Sequence, residues 1–270
     1  SAPPRRLVPH AAPRIRVIAT SPPLVLIHGI GLDRTIWDGM LPALEADRQV
    51  VSYDLPGHGV APDPLVEPTL RAFADHAITV MDDHGIDRAV LVGFSLGGMV
   101  NRRVGMDHPD RVAGLVVIAS PHKRSPEAQR LVEERATATA RWGMASTIDV
   151  TLDRWFTPEF RDDQPEVVAD VRRRVLATDS EALARARHVL ATGVDELVRP
   201  NSLPDLPLLV MTGDHDSGST PDMARAIASE ASSGEVVIVP GVRHLGLLEA
   251  PDRFADPLVR FLARSGRLPG

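Results

Sequence analysis

Cysteine is absent from all 270 residues. Disulfides, thiolate metal sites and a cysteine nucleophile are therefore excluded, and compartment cannot be read from redox habit. Long apolar runs are missing too. The stretch 113–119 is among the longest, far short of the roughly 18 residues that cross a bilayer, so no membrane partner is expected. Lysine occurs once, at Lys123, and arginine supplies the other basic residues. These are scattered rather than gathered into a stripe, and 36 acidic against 30 basic residues leave a net charge of −6. That distribution argues against nucleic acid as a partner. No internal repeat or low-complexity tract is present. The opening residues, Ser1-Ala2-Pro3-Pro4-Arg5-Arg6, hold no apolar run of signal-peptide length, so the expected location is the cytoplasm.

What is present is an ordinary globular composition, 43% hydrophobic and 24% charged, in a length that suits one large domain or a domain with an insertion. Short apolar runs bounded by turn residues recur at 24–28, 50–53, 89–94, 113–119, 208–211 and 236–239. Their continuous character predicts strands buried on both faces of a parallel sheet. Residues 14–18 alternate instead, predicting an edge strand. Leu70, Phe73, Ala74, Ala77, Val80 and Met81 form a stripe near the helical period. Strands alternating with helices predict an α/β fold, a mostly parallel, doubly wound sheet.

Between Pro121 and about Pro200 the rhythm breaks, with amphipathic pieces and no strand-like run. The division is therefore a core of 1–120 and 201–270, with 121–200 inserted as a helical cap rather than an independent domain. In one cap piece Val167, Val168, Val171 and Val175 oppose Arg172-Arg173-Arg174, read as a solvated face. The final helix starts at Pro251 and buries Phe254, Leu258, Phe261 and Leu262, with a kink or restart expected at Pro257.

The sharpest signal is Gly93-Phe94-Ser95-Leu96-Gly97-Gly98, directly after one strand-like run and before a helical segment. A G-x-S-x-G segment at such a junction is a nucleophile elbow, in which glycines permit a turn too tight for side chains and expose the serine hydroxyl. The bland alternative is a glycine-rich turn with an incidental serine. A serine hydroxyl needs a base, and the base needs an orienting carboxylate. Around such an elbow the acid and then the histidine follow, each just beyond a later strand. Thr212-Gly213-Asp214-His215-Asp216 and Pro240-Gly241-Val242-Arg243-His244 occupy those places, so His244 is the expected base. Asp216, three residues past the glycine, is favoured over Asp214 as the acid, with Asp214 bracing the turn. The backbone amides of Leu96 and of Ile30, in His28-Gly29-Ile30-Gly31, are the expected oxyanion hole.

The other histidines weaken on inspection. His28 and His58 sit in turn-rich loops and read as braces. His76, His84, His108 and His188 fall in helical segments or at their ends, with the surface as default. Neither Asp82-Asp83-His84 nor Asp214-His215-Asp216 has a metal site's ligand spacing, so no metal is expected. The glycines match no nucleotide or dinucleotide fingerprint, so no cofactor is expected either.

With these motifs in place, the chain resembles the α/β-hydrolase superfamily from Leu24 to Leu262, and within it is most similar to the 3-oxoadipate enol-lactonases. Trp37-Asp38, Ser95-Leu96-Gly97-Gly98-Met99 and above all Arg154-Trp155-Phe156-Thr157-Pro158-Glu159-Phe160-Arg161 carry that likeness. It implies cofactor-free cleavage of a small enol-lactone by a triad of Ser95, Asp216 and His244. The chain departs from those enzymes at His28-Gly29-Ile30-Gly31 and at Ser120-Pro121-His122-Lys123-Arg124, segments that bear on substrate rather than chemistry. A lactone with a free carboxylate needs a cation in its pocket. Lys123, Arg124 and Arg141 beside Trp142 are the candidates, with Trp37, Met99 and Trp155 as further substrate contacts. The reading is a serine hydrolase of a small ester or lactone. Its rivals are a broad carboxylesterase, a carbon–carbon bond hydrolase of ring-cleavage products and, from another class, a ligand receptor with a slow hydrolase site. Fold and triad do not separate them.

Overall fold

Six runs rich in Val, Leu and Ile, residues whose shape suits a pleated surface, form the strands β1 (Leu24–Ile27), β2 (Val50–Tyr53), β3 (Ala89–Phe94), β4 (Val112–Ile118), β5 (Leu208–Gly213) and β6 (Gly234–Val239). The computed structural model describes residues 21–62, 68–198, 203 and 205–265. The sheet order is β2-β1-β3-β4-β5-β6 and every pairing is parallel. Strands β1, β3 and β5 are buried throughout. The outer strands differ from the expectation of full burial. β2 alternates half-buried and buried residues, and β6 exposes Glu235 and Val236, because among the described residues each has a neighbour on one side only. The edge strand expected at 14–18 lies outside the described residues.

Helices fill the connections: α1 (Leu41–Leu44), α2 (Leu70–Asp83), α3 (Leu96–Asp107), α4 (Pro126–Trp142), α5 (Ile148–Trp155), α6 (Pro158–Asp163), α7 (Pro165–Ala177), α8 (Ser180–Thr192), α9 (Val194–Leu197), α10 (Pro221–Ala228), α11 (Gly246–Glu249) and α12 (Pro251–Ser265). Three start alike, with a Ser or Thr side chain capping the first turn and proline at the first helical position: Ser125-Pro126, Thr157-Pro158 and Thr220-Pro221. The expected stripe of α2 faces the core through Leu70, Phe73, Ala74, Ala77 and Met81. α12 runs through Pro257 as one helix, without the restart expected there. Burial of Phe254, Leu258, Phe261 and Leu262 on one face outweighs the hydrogen bond that proline forfeits. Among the described residues no helix is long and apolar enough to cross a membrane.

Helices α4 to α9 all lie between β4 and β5. They are fastened to the loops at the strand ends: Leu245 N–H donates to Trp155 C=O at 2.9 Å, Thr157 Oγ1 to Glu249 at 2.5 Å, and Arg174 on α7 to Thr35, with Asp33 3.4 Å away. Of the arginine triplet read as solvated, Arg172 and Arg173 pair with surface acids, whereas Arg174 makes this tie.

The strand order reverses between β1 and β3, and in doubly wound sheets the crevice at that switch, beyond the carboxyl ends of the strands, is where ligands bind. His28, fully buried just after β1, fixes one wall. Its Nδ1 donates to Gly29 C=O at 2.7 Å and its Nε2 accepts from Leu55 N–H at 2.8 Å, tying the loop after β1 to the loop after β2. Acceptance at Nε2 demands the neutral ring, and burial, with His58 close by, lowers its pKa to about 3. Elsewhere Arg102 on α3, 0% exposed, pairs with Glu230, its Nη2 donating to the two carboxylate oxygens at 2.6 and 2.7 Å, and Glu230 also meets His122 at 3.1 Å.

Two outcomes are expected. Glu230→Ala strands a buried guanidinium and should cost about 3–5 kcal/mol of stability, read by urea unfolding. Replacing Arg102 by Met and Glu230 by Leu together should cost much less. Stability should also fall with acid. An unfolded histidine binds a proton near 6.5 while native His28 resists down to about 3, so the unfolded state holds the extra proton across that window. Stability is complete above 6.5 and is lost as pH drops, by about 1.4 kcal/mol per pH unit from this ring. His58 and His76, lowered by burial, act in the same direction. Urea midpoints between pH 7 and 5 should decline less steeply in His28→Gln.

Candidate active site

Strand β3 ends at Phe94 and α3 begins at Leu96, leaving a single residue to turn the chain. Ser95 makes the turn at φ 54°, ψ −111°, a conformation that costs a non-glycine residue of order 1–3 kcal/mol. The flanking glycines are forced by space. A Cβ on Gly93 would stand 2.1 Å from Gly97 C=O, and one on Gly97 2.1 Å from Ile27 C=O. Backbone bonds hold the strained residue: Ser95 N–H donates to Ile118 C=O at 2.9 Å, and Ser120 Oγ donates to Ser95 C=O at 2.9 Å. Ser95 Oγ is thereby carried above the strand ends, beside the first amides of α3.

The loops after β5 and β6 meet it there. His244 Nε2 lies 3.2 Å from Ser95 Oγ, and its Nδ1 lies 2.7 Å from Asp216 Oδ2. A carboxylate only accepts, so Nδ1 carries the proton and Nε2 is free to accept from the serine hydroxyl. Asp216 is 3% exposed, and its other oxygen accepts from Gly218 N–H at 2.8 Å and Ser219 N–H at 2.9 Å. Those amides orient the carboxylate towards His244. Asp214 points elsewhere, accepting from Gly241 N–H at 2.7 Å, and so clasps the two loops together. The ring of His244 is flanked by Phe94 at 5.1 Å and Trp155 at 6.0 Å between centroids.

A cavity of about 90 Å³ opens above this chain of hydrogen bonds, bounded by Ile30, Ser95 and His244 below and by α4, α5 and α8 above. Of the substrate contacts expected from sequence, Trp155 and Arg124 line it. Five others do not and are corrected. Trp37 and Met99 are fully buried: Trp37 belongs to the apolar core, and the methyl end of Met99 abuts Gly193. Lys123 is exposed. Arg141 stacks over the ring of Trp142 at 4.6 Å, and Trp142 itself is 64% exposed, away from the cavity on the last turn of α4.

In their place stand Arg135 on α4, Thr151 and Arg154 on α5, and Arg187 on α8. Sequence reasoning passed over all four. The signal for Arg187 was available, since it shares a helical face with Leu183 and Leu190 at spacings of four and three. A cation inside an apolar stripe is an informative breach of pattern. Burial together with Arg154 and Arg135 lowers the Arg187 guanidinium to about 10. Arg154 is lowered by burial and by Arg135, with Asp216 opposing, and Arg124 by the same two effects, with Asp195 and Glu133 opposing. All three arginines remain cations at neutral pH.

The arrangement can deliver a hydroxyl with its proton already directed to a base, inside a small, positively charged cavity. The chain is similar to known proteins along most of its length. The (E)-2-((N-methylformamido)methylene)succinate hydrolase of Acinetobacter baylyi is 28% identical over 242 residues, covering 89% of this chain and 90% of that protein. The 3-oxoadipate enol-lactonase 2 of the same organism is 24% identical over 237 residues, covering 87% and 86%. The crystal structure of the enol-lactonase from Burkholderia xenovorans LB400 superposes with a TM-score of 0.82 at 27% identity, covering 90% of this chain and 92% of that one. The alpha/beta hydrolase family pattern matches residues 24–256, and the chain belongs to that family.

Proposed function

We propose that the protein hydrolyses a small ester or lactone through an acyl-enzyme on Ser95, in the manner of a 3-oxoadipate enol-lactonase. The observation that carries this reading is the unbroken chain Ser95 Oγ, His244, Asp216 at the floor of the cavity. Ser95 Oγ attacks the carbonyl carbon while its proton passes to His244 Nε2. Asp216 steadies the imidazolium, and the Leu96 and Ile30 amides hold the oxyanion. Collapse breaks the bond to the leaving oxygen, which takes the proton from His244. Water then enters, gives its proton to His244 and releases the acid, restoring Ser95. For an enol-lactone the leaving oxygen stays tethered and the enol ketonises, which makes the first step hard to reverse. Residues 121–200 act as the cap that closes the cavity and chooses the substrate. A relative named for an enol-lactone supports an acyl bond of this kind, and another, named for the hydrolysis of a substituted succinate, supports hydrolysis of a small acid.

Ser95→Ala should lower kcat on p-nitrophenyl acetate by about 10⁴-fold or more, and Asp216→Asn by about 10³–10⁴-fold, because the base is left in the wrong tautomer. An unchanged rate in Ser95→Ala would eliminate the mechanism. Asp214→Asn separates the two acids of the loop. It should reduce thermal stability by loosening the clasp on Gly241, while kcat stays within about tenfold of the parent. Rates as kcat/KM on an enol-lactone, short p-nitrophenyl esters and vinylogous diketone acids identify the preferred bond. The lactone is expected to lead.

A further inference from the structure

The cavity wall carries four arginines, Arg124, Arg135, Arg154 and Arg187, and no aspartate or glutamate. Their surroundings divide them. Arg124 is spoken for: its guanidinium donates to the Gln129 side chain at 3.1 Å and to the carbonyls of Ala191 and Leu190 at 3.2 and 3.3 Å, and Asp195 and Glu133 oppose its charge. The other three come from three different helices and converge on one space. Among the described residues none of them forms an ion pair. Arg187 reaches only the thioether sulfur of Met144 at 3.2 Å, a weak acceptor, and its Nε is buried without a partner. On neighbouring α7, by contrast, Arg172, Arg173 and Arg174 are each paired with an aspartate.

Resting on the reading of this cavity as a hydrolase site, we propose that Arg135, Arg154 and Arg187 form an anion subsite and that the substrate is a dicarboxylate: an ester or lactone bearing two free carboxylates besides the bond that is cut. Cations crowded together and withdrawn from water are costly without a counter-charge. A fold that keeps three of them around its reactive serine has them awaiting one. The acid whose charge bears on Arg154 is Asp216, and it offsets one of the three. Two guanidinium charges remain, matched by two carboxylates. Guanidinium is the fitting donor, since its planar fork binds a carboxylate through two parallel hydrogen bonds and stays charged even where burial depresses it. The small cavity places those carboxylates near the scissile carbonyl, so the acyl group is short.

The test separates binding from turnover. In the Ser95→Ala protein, calorimetry with glutarate and with valerate compares two charges with one at equal chain length, and inorganic phosphate serves as a compact anion control. Glutarate is expected to bind at least tenfold tighter than valerate or phosphate at low salt, with the gap shrinking at high salt. Adding Arg135→Gln or Arg187→Gln should close the gap, and Arg187→Lys should keep part of it. Arg187→Gln should melt no lower than its parent, because it relieves a crowded charge. Equal binding of glutarate and valerate, tighter binding of phosphate, or a gap that survives both glutamine variants would overturn the proposal. Turnover of p-nitrophenyl acetate by the wild-type protein decides the underlying reading separately. Ser95-dependent turnover without glutarate preference retires the dicarboxylate alone, whereas glutarate preference without Ser95-dependent turnover retires the hydrolase.

Discussion

Ser95 sits where an L-residue resists sitting, and much of the architecture around it keeps it there. The strand behind it, the helix ahead of it, the carbonyl of Ile118 and the hydroxyl of Ser120 each fix one side of that single turn. Gly93 and Gly97 have no Cβ because the turn leaves no volume for one. The parallel sheet supplies rigidity: with β3 between β1 and β4 and buried along its length, the turn cannot relax by letting its strand slide. Strain at a reactive residue persists only where the surroundings over-determine it, and here they do so from four directions.

The same principle explains how far the sequence could be read. Ser95, His244 and Asp216 were legible because each follows within a few residues of an apolar strand-like run, so that short-range patterning also bears on their place in space. Six strands were legible for the same reason, as continuous apolar runs. Exposure of β6 was not, since a run such as 236–239 reads alike at a sheet's centre and at its rim, and only pairing decides which it is. The cavity wall was harder still. Arg135, Arg154 and Arg187 meet only because α4, α5 and α8 pack at particular rotations, and no local pattern encodes a rotation. Trp37 and Met99 illustrate the converse, since residues adjacent to a telling motif can belong to the core beneath it.

Charge is managed differently in the two halves of the structure. In the sheet-bearing part the buried cation Arg102 has a committed partner in Glu230, and His28 is kept neutral by burial and by the Leu55 N–H that occupies Nε2. Around the cavity the guanidiniums of Arg135, Arg154 and Arg187 are left without carboxylate partners. A buried cation that serves stability is paired with an acid, whereas cations that bind a ligand wait for their counter-charge.

The residue after His244 donates its amide to Trp155 of α5, and the side chain of Arg243, just before it, reaches the carbonyl of Phe156 at 3.1 Å. His244 is thus bracketed on both sides by bonds to the end of α5, one of the helices that line the cavity. Roof and floor are therefore not separable modules. Exchanging this roof for that of a relative, or evolving it towards a bulkier substrate, would retune the aim of the imidazole together with the shape of the pocket. New specificity in this scaffold has to be sought on the α4 and α8 side, leaving the 155–156 hinge to the base.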